Sequence, residues 1–154
     1  MNEVLQAIHA IAAGTLLGKV VLLSFVVAPI LAKNLDPESF TKVIRRLFPA
    51  YYALGMGGAI VGLLSVSGLL AIGGVTISTL IALGMWLMIL AAEAYCRSSL
   101  TPRSNAMRDQ LKEQERRGSV DPRLKHSWDR LHQRSVYLNS LVLLAGFYLV
   151  VLGR

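Results

Sequence analysis

Long apolar blocks separated by charged stretches organise this chain. Four blocks are long enough to cross a bilayer, and they cover residues of about 4–32, 48–72, 75–95 and 135–152. A helix of about 20 apolar residues spans the ~30 Å hydrocarbon core of a membrane. The pattern therefore predicts an all-α fold, an integral membrane bundle of four transmembrane helices that forms a single domain over residues 1–154.

The charged stretches, residues 33–47 and 96–134, are predicted to form amphipathic helices beside the membrane. Residues 40–47 carry apolar side chains at helical spacing, and Pro49 marks a kink where the chain enters the second span. The polar helix that begins near Thr101 is predicted to end at Gly118. Helix start signals with proline at the first helical position occur three times, at Asp36-Pro37, Thr101-Pro102 and Asp121-Pro122.

The positive charge lies mainly in these stretches. Residues 97–134 carry ten of the sixteen basic residues, and the whole chain has a net charge of +7. Loops rich in Lys and Arg stay on the cytoplasmic side of a membrane. The sequence therefore predicts a multi-pass protein of the cell (inner) membrane with both termini outside, on the periplasmic face, and both basic loops in the cytoplasm. Nucleic-acid binding is not predicted, because the basic residues serve this orientation signal.

Several polar residues interrupt the apolar blocks and are candidates for a binding site. Lys19 and Glu93 are ionisable residues inside predicted spans, where a charge is expensive and therefore a functional candidate. The start of the fourth span keeps His, Ser and Asn on one helical face, which must then point inward. The candidate pocket, open to the cytoplasmic leaflet, comprises Lys19, Glu93, His132, Ser135, Asn139 and Tyr51. The alternative is purely structural, with an ion pair and hydrogen bonds between helices.

Small residues predict close packing between helices. Gly14 and Gly18 form a G-x-x-x-G step in the first span, and Gly58 and Gly62 form another in the second. This spacing lets helix backbones approach closely in lipid. We expect these glycines to pack helices against each other, within the chain or between copies of a homo-oligomer.

Cofactor and metal sites have weaker support. His9 and His132 are possible haem ligands, but they are predicted to lie near opposite faces of the membrane. Met56, Met85 and Met88 lie at middle depth and offer soft thioether ligands, although methionine more often fills gaps in a core. The single cysteine excludes an internal disulfide. No cofactor and no enzymatic activity are predicted, and haem is kept as a minor alternative.

The order of several short motifs resembles one family. These motifs include the early His9, the Phe48-Pro49-Ala50-Tyr51 stretch, Pro102-Arg103 and the group of His132, Ser135 and Asn139. Together they resemble the transmembrane protein 205-like family, which is also described as a domain of unknown function, DUF4149. The resemblance implies a four-span membrane protein without an established reaction. Animal members are linked to platinum-drug resistance, which implies handling of metal-containing solutes.

Three function classes follow from these observations. The first is a small homo-oligomeric carrier or exporter for a metal adduct or a small amphiphilic solute, based on the polar residues inside the spans. The second is an accessory subunit of a larger membrane complex, based on the small size and the glycine-rich faces. The third is a haem- or other cofactor-binding membrane protein, based on the two histidines.

Overall fold

The computed structural model describes residues 1–151, so the predicted end of the fourth span at residue 152 and Arg154 lie outside the described residues. The chain forms four long helical rods, Asn2–Asn34, Pro37–Gly73, Ile77–Arg116 and Pro122–Val151. Each rod is long and apolar enough to cross a membrane, and the described residues contain no strand. The structure therefore confirms the predicted all-α bundle, and the chain is a multi-pass membrane protein.

Two of the rods contain a widened π-helical turn. The first rod consists of α1 (Asn2–Val21), a π-helical segment (Leu22–Val27) and α2 (Ala28–Asn34). The third consists of α4 (Ile77–Tyr95), a second π-helical segment (Cys96–Leu100) and α5 (Thr101–Arg116). Each π-helical segment directly precedes a proline-containing turn, at Pro29 and at Pro102. A proline ring clashes with the carbonyl four residues earlier, and a wider turn relieves that clash.

The other two rods are unbroken α-helices, α3 (Pro37–Gly73) and α6 (Pro122–Val151). The amphipathic helix predicted for residues 37–47 is the first part of α3, which continues through Pro49 without interruption. The start predicted at Asp121-Pro122 is confirmed, and α6 runs from there into the fourth span. Helix α5 begins at Thr101 as predicted, and the π-helical segment joins it to α4 so that it continues the third rod beyond Tyr95. It ends at Arg116, two residues before Gly118, whose φ of 75° lies in the left-handed region that glycine tolerates.

Asp36 caps α3 as its sequence position predicts. Its Oδ1 atom accepts hydrogen bonds from the backbone N–H groups of Glu38 and Ser39, at 2.9 and 3.0 Å. These N–H groups lack partners inside the helix, so the cap satisfies two of them. The hydrogen bonds from Ser39, and then the one from Glu38, hold the pKa of Asp36 below its usual range.

Asp36→Ala is expected to lower the unfolding temperature at pH 7, and this loss should disappear in acid. Because folding lowers the pKa of Asp36, the charged cap stabilises the protein fully above the unfolded pKa. That contribution is lost as the pH falls through the folded pKa. Thermal unfolding in detergent, followed by circular dichroism at several pH values, measures the difference. Asp36→Asn keeps the acceptor and serves as the control. An Asp36→Ala defect of equal size at every pH would contradict this role.

The four rods form a ring in which each helix packs on two neighbours. Helix α1 packs against α3 and α6, and α4 packs against the same two helices. Within residues 1–151, no Cα atom of α1 lies within 8 Å of α4, and none of α3 lies within 8 Å of α6. Helices α1 and α4 therefore face each other across the centre, as do α3 and α6. Trp86, Leu16 and Ile89 fill this centre and are fully buried.

One end of the bundle carries the basic segments, residues 33–47 and 96–134, and is called the basic end below. There α5 and the first part of α6 form a hairpin that packs beside α3. Arg45 on α3 donates hydrogen bonds to both carboxylate oxygens of Asp109 on α5, at 3.1 and 2.5 Å. This contact with Arg45 lowers the pKa of Asp109 from its usual range. The ion pair connects the α5–α6 hairpin to α3.

Candidate functional site

Lys19 and Glu93 meet in the interior of the bundle. Lys19 Nζ donates a hydrogen bond of 2.6 Å to Glu93 Oε1, and the two side chains are only 4% and 1% exposed. The contact crosses the centre from α1 to α4. Gly55 on α3 leaves the space for it, because a Cβ atom there would collide with both Lys19 Nζ and the Glu93 carboxylate. The two candidates are therefore brought together as a buried ion pair.

Two tyrosines connect this ion pair to α6. Lys19 Nζ lies 3.9 Å from the centroid of the Tyr51 ring and 3.4 Å from the Tyr51 carbonyl oxygen. The Tyr51 hydroxyl donates a 2.9 Å hydrogen bond to Asn139 Oδ1, and the Tyr52 hydroxyl lies 3.4 Å from Ser135 Oγ. These contacts cross the other diagonal, from α3 to α6. Five of the six predicted pocket residues thus belong to one continuous polar cluster: Lys19, Glu93, Tyr51, Ser135 and Asn139.

A cavity of about 720 Å³ lies between this cluster and the basic end. Its volume is within the range of small-molecule binding pockets. Tyr51, Tyr52, Ser135 and Asn139 line it, whereas Lys19 and Glu93 do not. The sixth predicted residue, His132, also lines the cavity. It lies toward the basic end, and this part of the cavity, lined by Arg45, Arg108, Trp128 and His132, is called the mouth below. The ion pair is therefore buried behind the tyrosines, on the side of the rings away from the cavity.

The cavity reaches the side of the bundle between the first rod and α6. The first rod packs against α6 only along its α1 part, where Leu16 and Leu17 of α1 lie next to Gly146 of α6. Beyond Val21 they diverge, and no Cα atom of the Leu22–Val27 segment lies within 8 Å of α6 in the described part of the chain. Phe25 and Val136 line the cavity and are 67% and 50% exposed. The gap therefore has an apolar rim and faces the surroundings of the bundle.

Aromatic and basic side chains form the mouth of the cavity. The guanidinium carbon of Arg108 lies 5.3 Å from the centroid of the Trp128 ring. On α6, Trp128 stacks on His132 with 5.5 Å between ring centroids and an interplanar angle of 7°. Arg45 also lines the cavity at this level. Stacking on Trp128 thus positions the His132 ring, which is exposed at the mouth and not buried in the bundle.

The two possible haem ligands, His9 and His132, belong to different sites. His9 is buried, and the indole N–H of Trp86 donates a 3.4 Å hydrogen bond to its Nδ1 atom. Within residues 1–151 its Nε2 atom has no hydrogen-bond partner. His9 does not line the cavity that has His132 at its mouth. The structure therefore does not bring the two possible haem ligands together.

The candidate methionines and glycines are scattered. Met85 and Met88 line a shallow groove between α4 and α6, and Met56 lies on α3 outside it.

The candidate glycines differ in how closely they are packed. A Cβ atom at Gly62 would collide with the Trp86 ring, and a Cβ atom at Gly58 would lie 3.8 Å from the Ala12 carbonyl oxygen. At Gly14 and Gly18 a Cβ atom would meet nothing within 4 Å in the described chain. Those two glycines lie on an exposed face of α1, so their packing role stays a prediction about a second chain.

Sequence reasoning missed two arginines of the cavity mouth. Arg45 lies seven residues before Tyr52, so both side chains lie on the same face of α3. Arg108 follows Thr101, Ser104 and Asn105 at helical spacing, and all four line the cavity. These spacings were available as a signal. They were not used, because the basic residues next to the membrane were interpreted only as a signal of membrane orientation.

One comparison with known proteins identifies the family. A profile of a domain of unknown function, DUF4149, matches residues 11–113. No curated protein and no solved structure matches the chain. The match includes most of the first rod, all of α3 and nearly all of the third rod, but it ends before α6. The narrower resemblance to transmembrane protein 205-like proteins stays a prediction. Because the matched region covers well over half of the sequence, the chain belongs to the DUF4149 family.

Proposed function

We propose that this protein is a small carrier that takes up an amphiphilic solute from the cytoplasmic leaflet of the cell membrane. The basic end is proposed to face the cytoplasm, since it contains most of the Lys and Arg residues. The termini at the other end would then lie outside. This orientation places the mouth of the cavity at the level of the cytoplasmic headgroups and its deeper part among the acyl chains.

The observation that supports this proposal is the cavity with its lateral gap. A solute dissolved in the leaflet would enter between the Leu22–Val27 segment and α6, where the two rods diverge. Leu23, Phe48 and Leu143 offer apolar contacts to its tail. The polar and basic mouth offers hydrogen bonds and charge to its head. A site with one apolar and one polar end fits an amphiphile better than a fully hydrated solute.

A metal adduct is the less favoured solute. No methionine or cysteine is among the described residues that line the cavity, so it offers no sulfur ligand. Residues 1–151 also contain no group of three His, Cys, Asp or Glu side chains placed to hold a metal ion. The amphiphile is therefore the solute on which the experiments below are based.

Ser24→Trp is expected to abolish binding of an amphiphile by filling the cavity. Ser24 is exposed and lines the cavity, so a large side chain fits there without disturbing the buried core. The protein is placed in nanodiscs of zwitterionic lipid and titrated with two radiolabelled probes, dodecyl phosphate and dodecyl trimethylammonium. Native protein should bind at least one probe above empty nanodiscs, and Ser24→Trp should reduce that binding to the empty level.

Ser67→Trp is the matched control. Ser67 is also an exposed serine of a membrane-spanning helix, but it does not line the cavity. This variant should bind the probes as the native protein does. If both tryptophan variants bind equally well, or if native protein binds neither probe, the cavity is not an amphiphile site and the proposal is wrong.

Transfer between leaflets separates a carrier from a binding protein. Proteoliposomes are labelled on both leaflets with a fluorescent single-chain lipid, and dithionite then bleaches the outer leaflet. Native protein should make the protected half of the signal accessible within minutes, whereas Ser24→Trp should leave it protected. Binding without such transfer would contradict the carrier function and leave a binding role.

A further inference from the structure

We infer that the cavity selects amphiphiles with an anionic headgroup, which Arg45 and Arg108 hold at its mouth. The inference rests on the proposed function and names the class of its ligand. The shared chemistry of such ligands is a phosphate, sulfate or carboxylate group on a long alkyl chain.

The charge of the cavity lining has one sign. Among the described residues that form it there are two arginines and one histidine, but no aspartate and no glutamate. Glu93, the acidic residue of the interior, is paired with Lys19 behind the tyrosines and does not reach the cavity. Charges act more strongly in a partly desolvated site than in water. Asp109 offsets the charge of Arg45 without lining the cavity, whereas Arg108 has no carboxylate partner among the described residues. An anionic group at the mouth would therefore be attracted, and a cationic group repelled.

Arg45 keeps unused hydrogen-bonding capacity. Its Nη1 atom carries two N–H groups and donates only one hydrogen bond within residues 1–151, to Asp109. Its terminal nitrogens contact the Asn105 carbonyl oxygen and the Asp109 carboxylate, and the Asp109 side chain is 60% exposed. An ion pair with such an exposed partner contributes little to stability. The guanidinium group is thus positioned at the mouth by Asp109, while one N–H group of Nη1 remains for a ligand.

Arg108 is positioned by an aromatic ring instead of a carboxylate. The face of Trp128 supports its guanidinium group, and within the described chain Arg108 forms no salt bridge. A guanidinium group stacked on a ring keeps its N–H edge available for an oxyanion. Thr101, Ser104 and Asn105 line the same wall and can donate further hydrogen bonds. Such a fork of donors matches the geometry of phosphate and carboxylate groups.

Arg108→Gln is expected to weaken binding of dodecyl phosphate about tenfold, which is typical for one lost charge-assisted hydrogen bond. The same nanodisc titration is used. Dodecyl trimethylammonium has the same tail and the opposite charge, and it should bind native protein at least about tenfold more weakly than the phosphate. Arg108→Gln should reduce or remove this preference. Raising the salt concentration should weaken binding of the phosphate and not that of the ammonium probe.

Arg103→Gln is the matched control for the charge. Arg103 lies on the same helix, is exposed and does not line the cavity. It changes the net charge of the basic end by the same amount, so it should leave the preference for phosphate intact. If Arg103→Gln and Arg108→Gln weaken binding equally, general surface charge and not this mouth attracts the anion, and the inference is wrong.

The failure of this inference differs from the failure of the proposed function. Equal affinities for the two probes, unchanged in Arg108→Gln but lost in Ser24→Trp, would keep the amphiphile site and overturn its anion selectivity. Loss of dodecyl phosphate binding in nanodiscs that contain phosphatidylglycerol would identify a resident anionic lipid as the occupant. Unchanged binding in those nanodiscs would identify a single-chain anionic solute. Both of these last outcomes support an anionic headgroup at Arg45 and Arg108.

Discussion

Lys19→Met should lower the free energy of unfolding by about 3–5 kcal/mol, as expected when one partner of a buried ion pair is removed. The substitution would leave the Glu93 carboxylate buried, with Oε1 deprived of its 2.6 Å partner. Glu93 Oε2 already has no hydrogen-bond partner within residues 1–151, so neither carboxylate oxygen would then be satisfied. Unfolding in mixed micelles of increasing sodium dodecyl sulfate content, followed by circular dichroism, measures this loss.

The double variant Lys19→Met/Glu93→Met should recover most of that loss. Both replacements are unbranched and flexible, so they can adapt to the limited space beside Gly55. An apolar pair of similar volume often replaces a buried ion pair without loss of stability. A double variant as unstable as the single variants would show that the charges themselves stabilise the bundle.

The double variant also tests whether the ion pair takes part in binding. The Tyr51 and Tyr52 rings separate the pair from the cavity, so its removal should leave dodecyl phosphate binding unchanged. In that case Lys19 and Glu93 are structural residues, which is the alternative the sequence left open. A stable double variant that no longer binds the probe would instead place the ion pair in the binding mechanism.

Gly62→Ala should lower the free energy of unfolding by about 2–3 kcal/mol, in the upper range for overpacking of a core. A Cβ atom at Gly62 would collide with the Trp86 ring. That ring is completely buried and also donates a hydrogen bond to His9, so it cannot move aside without disturbing the centre of the bundle. The same micelle titration measures the change.

Gly57→Ala provides the matched control on the same helix. Gly57 is exposed, and a Cβ atom there would meet nothing within 4 Å. The substitution should therefore leave stability unchanged or raise it slightly, since alanine favours a helix more than glycine does. Equal effects of the two substitutions would show that backbone freedom, and not contact with Trp86, explains the glycine at position 62.

Several features of the fold could be predicted because they depend on local pattern. Apolar blocks of sufficient length predicted four membrane-spanning helices, and residues 1–151 form four helices that are long and apolar enough to cross a membrane. The cap at Asp36 and the start at Pro122 follow from the side chains at those positions. The inward-facing stripe of Ser135 and Asn139 follows from helical periodicity. Each of these predictions needs only residues that are close together along the chain.

Whether neighbouring helices join into one rod is harder to predict from local sequence. Pro49 lies inside α3, which continues through it as one helix, and the predicted kink there stays a prediction. The sequence predicts a third span that ends near Tyr95, and the structure continues from there through a π-helical turn into α5. A proline removes one backbone hydrogen bond from a helix, and its ring clashes with the carbonyl group four residues earlier. Packing against neighbouring helices or a widened turn can compensate for both effects. A local signal therefore cannot decide whether a helix ends there.

The chain sequence alone thus sets the number of spans, their polar faces and the charge asymmetry, since these follow from composition and periodicity. Only the tertiary structure decides that Lys19 meets Glu93, 74 positions away, and that Tyr51 and Tyr52 cover this pair. It also decides that the first rod diverges from α6 and opens a cavity whose mouth brings Arg45 and Arg108 together. Such contacts depend on how each helix is rotated and tilted against its neighbours, which packing around Trp86 and the glycines determines and no local pattern encodes.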